Sequence, residues 1–437
     1  MHTSRPISEL RWALATGELS SRELIENALT TAVWRKTLGA KTYLHLDPDF
    51  IHAQIKAGLD LTRSLGGLPV SVKDCFDVAG LPTTAGSSFY AGTRPLPTAD
   101  AEYVTATRAT GAVLMGKTHL NEFAYGITGA NQHFGDCEIP TRSGCLTSGS
   151  SSGAAASVVE GSAVIGLGTD TGGSLRAPAA YCGLISYRAS LERGRWRGCF
   201  PLAQSFDTMG WLNRHLADVP AIGRALLGVD SDHVERKRVR IGVAAGKWPE
   251  ICDAEILAAH REYGDRLRDV GFQVEEFDAS LWLNATDIFI PTQAHEAFKI
   301  HREFLKTFAD QYEPGVRSRL DLGATIDDDA YRALKARQME FCTASVALFE
   351  RFDFLVAPVA PQREIRIDVD QAEFRPRILK LTAPISLNGW PALTVRARGT
   401  GPEDPNAHGF GLQIVAPEMS DGHLLGLATS LAEAGLT

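Results

Sequence analysis

Alternating strand-like and helix-like segments predict an α/β fold with a central sheet, in one domain spanning residues 1–437. Three observations lead there. Short apolar runs recur along the chain, separated by stretches with helical spacing. No long Gly/Ser or charged linker divides the chain, and no internal repeat is visible. With 44% hydrophobic and 22% charged residues over 437 positions, there is ample material for one large core.

Residues 7–32 carry Leu10, Leu14, Leu19, Leu24, Ile25 and Leu29 at helical spacing, and Gly17 divides them into two helices. Ser20 or Ser21 caps the second, with Glu23 in its first turn. The apolar run 68–72 reads as a buried strand, followed by the turn-rich stretch 79–87. A helix over 102–110 leads into a strand at 112–116, and a small-residue helix at 153–160 leads into an apolar strand at 163–167. Residues 230–350 are more charged and more helical, which suggests a variable cap or insertion. Strand character returns at 355–358, 392–395 and 411–415.

Composition narrows the function. Lys and Arg number 44 against 52 Asp and Glu, a formal net charge of -8, which argues against a nucleic-acid or anionic-membrane surface. The first ten residues lack a basic region followed by an apolar run, and no stretch of about 18 apolar residues occurs, so a cytoplasmic protein is expected. The seven cysteines are scattered without a Cys-x-x-Cys pair and read as free thiols in a reducing compartment. No His-Glu-x-x-His spacing occurs, and no metal is expected.

The chemistry concentrates in three separated segments. In Gly168-Thr169-Asp170-Thr171-Gly172-Gly173-Ser174-Leu175-Arg176, two glycines let successive backbone N–H groups face one concavity suited to an anion, with Ser174 at its lip. Asp170 and Arg176 would pair across that turn and hold its shape. The second segment is Gly149-Ser150-Ser151-Ser152-Gly153. It satisfies the G-x-S-x-G pattern of a nucleophile elbow, but residues 141–148 are too polar for the apolar strand an elbow must cap. The third is Lys73, which interrupts an apolar strand end. It is either an ion-pair partner of Asp74 or Asp77, or a buried amine with a lowered pKa able to act as a base. A hydroxyl nucleophile needs a base and oxyanion donors, and together the segments suggest a serine hydrolase whose base is a lysine.

These segments resemble the amidase signature family, the Ser-Ser-Lys amide hydrolases. The likeness lies in Gly67-Leu68-Pro69-Val70-Ser71-Val72-Lys73-Asp74, Gly149 to Gly153, and Gly168 through Ala179. It extends to Gly116-Lys117-Thr118, Asn121 to Gly126 and Ser205 to Gly210, so it is dense over about 68–210. The resemblance implies a central mixed sheet covered by helices on both faces. It implies Ser174 as nucleophile, Ser150 as the bridging serine 24 positions earlier after a cis peptide, and Lys73 as base. The N–H groups of Thr171, Gly172, Gly173 and Ser174 become the oxyanion donors. Ala124, Tyr125 and Ser150 become substrate contacts. It implies hydrolysis of a small carboxamide without a cofactor, nearest to indoleacetamide-type amidases, with a homodimer left open as assembly. Two alternatives stay open. One is the glutamine amidase subunit of a tRNA-dependent amidotransferase, although Ala177 stands where that subunit usually carries Gln. The other is a silent binding or scaffold protein of the same fold. Ser148 and Ser152 in place of usual glycines, Ala179-Ala180, and the basic loop Arg193-Gly194-Arg195-Trp196-Arg197 depart from the family pattern.

Overall fold

A computed structural model describes residues 2–436; Met1 and Thr437 of the expected domain lie outside the described residues. Helix α1 (Ile7–Thr16) ends at Gly17, whose φ of +75° favours glycine, and α2 (Ser21–Thr37) follows. Ser20 caps α2, its hydroxyl accepting the Glu23 N–H at 3.1 Å. Then come β1 (Tyr43–His45), α3 (Pro48–Lys56), β2 (Pro69–Lys73), α4 (Glu102–Ala109), β3 (Val113–Thr118), β4 (Glu138–Ile139) and β5 (Arg142–Leu146). Next are α5 (Ser152–Glu160), β6 (Ile165–Asp170), α6 (Arg176–Cys182), β7 (Ile185–Arg188), β8 (Thr208–Asn213) and α7 (Val219–Leu227). The middle region holds β9 (Arg240–Ala245), α8 (Ala254–Asp269), β10 (Gln273–Asp278), α9 (Thr286–Phe308), α10 (Pro314–Ala324) and α11 (Asp328–Val346). Finally, β11 (Phe354–Pro358), α12 (Phe374–Leu387), β12 (Ala392–Arg396), β13 (Gly411–Val415) and α13 (Asp421–Glu433) complete the fold.

Eleven strands form one mixed sheet in the order β1-β3-β2-β6-β8-β7-β12-β13-β11-β9-β10. Strands β3, β2 and β6 run parallel, the centre from β6 to β11 is antiparallel, and β11, β9 and β10 are parallel again. All residues of β2, β3, β6, β7, β8, β11, β12 and β13 are buried, the pattern of a sheet flanked by helices. This is a single-domain α/β fold.

Two expectations need correction. The middle region is more than a cap or insertion, because β9 and β10 extend the main sheet beside β11. The polar stretch before the serine run does form a strand, β5, but it pairs with β4 in a separate ribbon, with one further bridge from Cys145 to Arg366. It therefore does not lead from the main sheet into an elbow. What positions the site is the parallel pair β2 and β6, in register from Val70 opposite Ile165 to Val72 opposite Leu167. Their carboxyl ends bring Lys73 beside Thr169, while the serine run opens α5 and the Gly-Gly-Ser turn opens α6.

Candidate active site

Lys73 is fully buried at the end of β2. Its ammonium nitrogen donates to Ser150 Oγ at 2.8 Å and Thr169 Oγ1 at 2.7 Å. The ion-pair alternatives are both taken by other cations. Asp74 pairs with buried Lys117, and Asp77 pairs with Arg94 at 2.7 Å. Burial therefore acts on Lys73 without a contacting carboxylate to oppose it, and pushes its pKa below the ordinary lysine value.

The peptide bond Gly149–Ser150 is cis, and Ser148 before it has φ +64°. That left-handed backbone explains why glycine suits position 148; here the Ser148 hydroxyl donates to Ile127 O at 2.7 Å. A side chain at Gly149 would fall on Asn121 Oδ1. Ser151 is fully buried and donates to Thr169 O at 3.1 Å, so the serine that would serve an elbow is tied into the framework. Its N–H donates to Ser174 O at 3.2 Å, joining the serine run to the Gly-Gly-Ser turn.

That turn is held from three sides. A Cβ on Gly172 would lie 2.8 Å from Phe289 Cζ, and one on Gly173, at φ +113°, 2.8 Å from Thr382 Cγ2. The Thr382 hydroxyl donates to Gly172 O at 2.6 Å. From below, Asp170 Oδ1 accepts the Gly173 N–H at 2.8 Å and Oδ2 accepts the Leu175 N–H at 3.1 Å. The expected Asp170–Arg176 pair is present, with Nη2 to Oδ1 at 2.9 Å and Nε to Oδ2 at 3.1 Å. Arg188, which no motif marked, adds a contact to Oδ1 at 3.0 Å. Burial alone would raise the Asp170 carboxyl, but Arg176 and Arg188 hold it well below the usual carboxylate range.

Of the four expected oxyanion donors, one is engaged within the protein. The Gly173 N–H is spent on Asp170, because the carboxylate that shapes the turn needs that donor. The N–H groups of Thr171, Gly172 and Ser174 donate to no protein acceptor among the described residues. Ser174 is 4% exposed, and its hydroxyl has no protein hydrogen bond. The Lys73–Ser150 contact is thus formed, while Ser150 and Ser174 are not hydrogen-bonded to each other. Catalytic hydrogen bonds often close only around substrate.

Ser174, Thr171, Gly172, Ala124 and Tyr125 line one small pocket, with a cavity volume of about 10 Å³. Phe123 and Ala124 both adopt left-handed backbone, φ +51° and +55°, which turns the chain so that Tyr125 joins the pocket wall. Sequence reading missed several neighbours. Thr169 and Asp207 sit inside matched segments without a distinguishing signal, yet Asp207 Oδ1 accepts the Thr171 hydroxyl at 2.6 Å. Burial pushes Asp207 up to about 6. Gln293, Leu379 and Arg375 reach the pocket from helices far along the chain. The expectation of no metal rested on sequential spacing, but the fold gathers Glu122, His133 and Glu313 with ligand atoms within 4.8 Å of one another. In the basic loop, Arg193 pairs with Asp421 at 2.7 Å and Arg197 faces solvent. No helix among the described residues is long and apolar enough to cross a membrane.

The fold thus brings buried Lys73 onto Ser150 and ties the serine run to the Gly-Gly-Ser turn. The Amidase family model matches residues 49–425. The 2-amino-5-chloromuconic acid deaminase of Comamonas testosteroni is 33% identical over 87% of this chain and 84% of that protein. The indoleacetamide hydrolase of Pseudomonas savastanoi is 34% identical over 64% of this chain and 60% of that protein. A crystal structure of an amidase superposes with a TM-score of 0.87 at 29% identity, covering 99% of this chain and 100% of that one. The chain belongs to the Amidase family, and it is an amide hydrolase acting on C–N bonds.

Proposed function

We propose that the protein hydrolyses a small carboxamide to a carboxylate and ammonia, or an amine, through an acyl-enzyme on Ser174. The observation that carries this reading is Lys73, buried, bonded to Ser150 and free of any carboxylate partner. Neutral Lys73 takes a proton from Ser150 as Ser150 takes the proton of Ser174. Ser174 Oγ bonds to the carbonyl carbon, and the oxyanion is met by the N–H groups of Thr171, Gly172 and Ser174. The C–N bond then breaks as the relay returns the proton to the leaving nitrogen. Water, deprotonated by the same relay, attacks the ester; carboxylate leaves and Ser174 recovers its proton. Ala124 and Tyr125 shape the acyl pocket, whose small volume favours a small acyl group. Cysteines unpaired throughout support the cytoplasm as the compartment.

The test is ammonia release from acetamide, butyramide and indole-3-acetamide by the purified chain, with Ser174→Ala as control. Turnover without any other protein supports the amidase and argues against an amidotransferase subunit that needs its complex. Turnover by Ser174→Ala at the parent rate would sink the mechanism.

A further inference from the structure

We propose that the substrate carries a carboxylate, gripped by Arg375 and Arg319 at the mouth of the pocket that contains Ser174. This rests on the Ser174 reading above and adds the substrate class to it. The Ser174 pocket shares Gly126, Ile127 and Arg375 with an outer chamber of about 420 Å³, so Arg375 belongs to both walls. Arg319 lines the chamber from α10, and Arg375 lines it from the first turn of α12.

Both guanidiniums flank the Tyr125 ring, 4.8 Å from its centroid for Arg319 and 5.8 Å for Arg375. Arg319 donates to Tyr125 O, and its Nε is buried with no partner. Arg375 donates one N–H to Gln293 Oε1 at 3.0 Å. Neither makes an ion pair among the described residues. Elsewhere the fold answers its site arginines with carboxylates: Arg176 and Arg188 with Asp170, Arg94 with Asp77, Arg193 with Asp421. Burial, with Arg375 nearby, pushes the Arg319 pKa down to about 10.

Glu313 in the chamber wall and Glu122 nearby are hydrogen-bonded to other groups. Glu313 accepts the Gln132 N–H at 2.8 Å. Glu122 accepts the Glu313 N–H at 2.8 Å and meets His133 at 3.0 Å. Two forked guanidiniums on one chamber wall suit a planar carboxylate.

The test compares kcat/KM for malonamate, succinamate and glutaramate with their uncharged methyl esters. At least one acid should exceed its ester by about 10-fold, a gap that shrinks with added salt. The gap should fall to about 2-fold or less in Arg375→Gln, narrow in Arg319→Gln, and be partly restored by Arg375→Lys. Because a variant can fail to fold, the parent is also challenged directly. Malonate, succinate or glutarate should slow labelling of Ser174 by a fluorophosphonate, while their dimethyl esters should not. Turnover without acid preference, or a preference that survives both Arg→Gln changes, would overturn the proposal and reduce the arginines to packing on Tyr125. Neither turnover nor label in the parent would overturn the Ser174 reading, and this one with it.

Discussion

At the scale of single residues, burial of Lys73 among hydroxyls fixes the sign of the pH response. Only the neutral amine can take the Ser150 proton, so turnover should rise with pH through a pKa below the ordinary lysine value of 10.5. A pH profile of kcat/KM measures this limb. Stability follows the same sign. Between the lowered native pKa and that of the unfolded chain, the unfolded state binds more protons, so stability rises with pH across that interval. Lys73→Met should remove this slope, and denaturant unfolding at several pH values would read it. Lys73→Arg keeps a charge that cannot be lost and should abolish turnover; full activity in that variant would contradict a base role. The nucleophile and the lysine were legible because each breaks a local pattern, a serine after two glycines and a cation in an apolar strand. Thr169, Arg188 and the arginines of the chamber were not, since their roles exist only once distant elements meet.

Elements were legible where one physical rule dominated. Strands buried on both faces with continuous apolar runs, such as β2 and β11, read directly from sequence. Strand β7 ends in Arg188 and β8 ends in Asn213, buried polar residues that bond within the fold to Asp170 and to His215 O, so neither strand declared itself. The Gly-Gly-Ser turn is an element in this sense, and Asp170 is its keystone. Asp170→Asn should destabilise the fold by about 3–5 kcal/mol, because Arg176 and Arg188 would be left buried without their counter-charge. Gly173→Ala should cost about 1–3 kcal/mol through its positive φ and the crowding of Thr382, with turnover falling alongside. Thermal unfolding of the two variants checks both figures; unchanged midpoints would mean the turn tolerates what the geometry forbids.

For the whole molecule, the sheet's length creates edges. At one end β10 presents exposed Gln273, Glu275, Glu276 and Asp278 along an otherwise unpaired strand. Charges there discourage edge-to-edge pairing. Glu275→Val with Glu276→Val should raise self-association, seen as increased light scattering at unchanged secondary-structure content. The middle region hid this edge because β10 is charged and long helices surround the short apolar run of β9; the region read as a cap, yet it carries the sheet past β11. The same region supplies Arg319 and Gln293 to the pocket, so the helices built on the sheet's far end also shape what reaches Ser174.

The central claim, that buried Lys73 primes Ser174, is tested most directly by labelling with a fluorophosphonate and mapping the modified peptide by mass. The account predicts label on Ser174 in the parent and its loss in Lys73→Ala. Label on Ser151, or label on Ser174 that persists without Lys73, would contradict it.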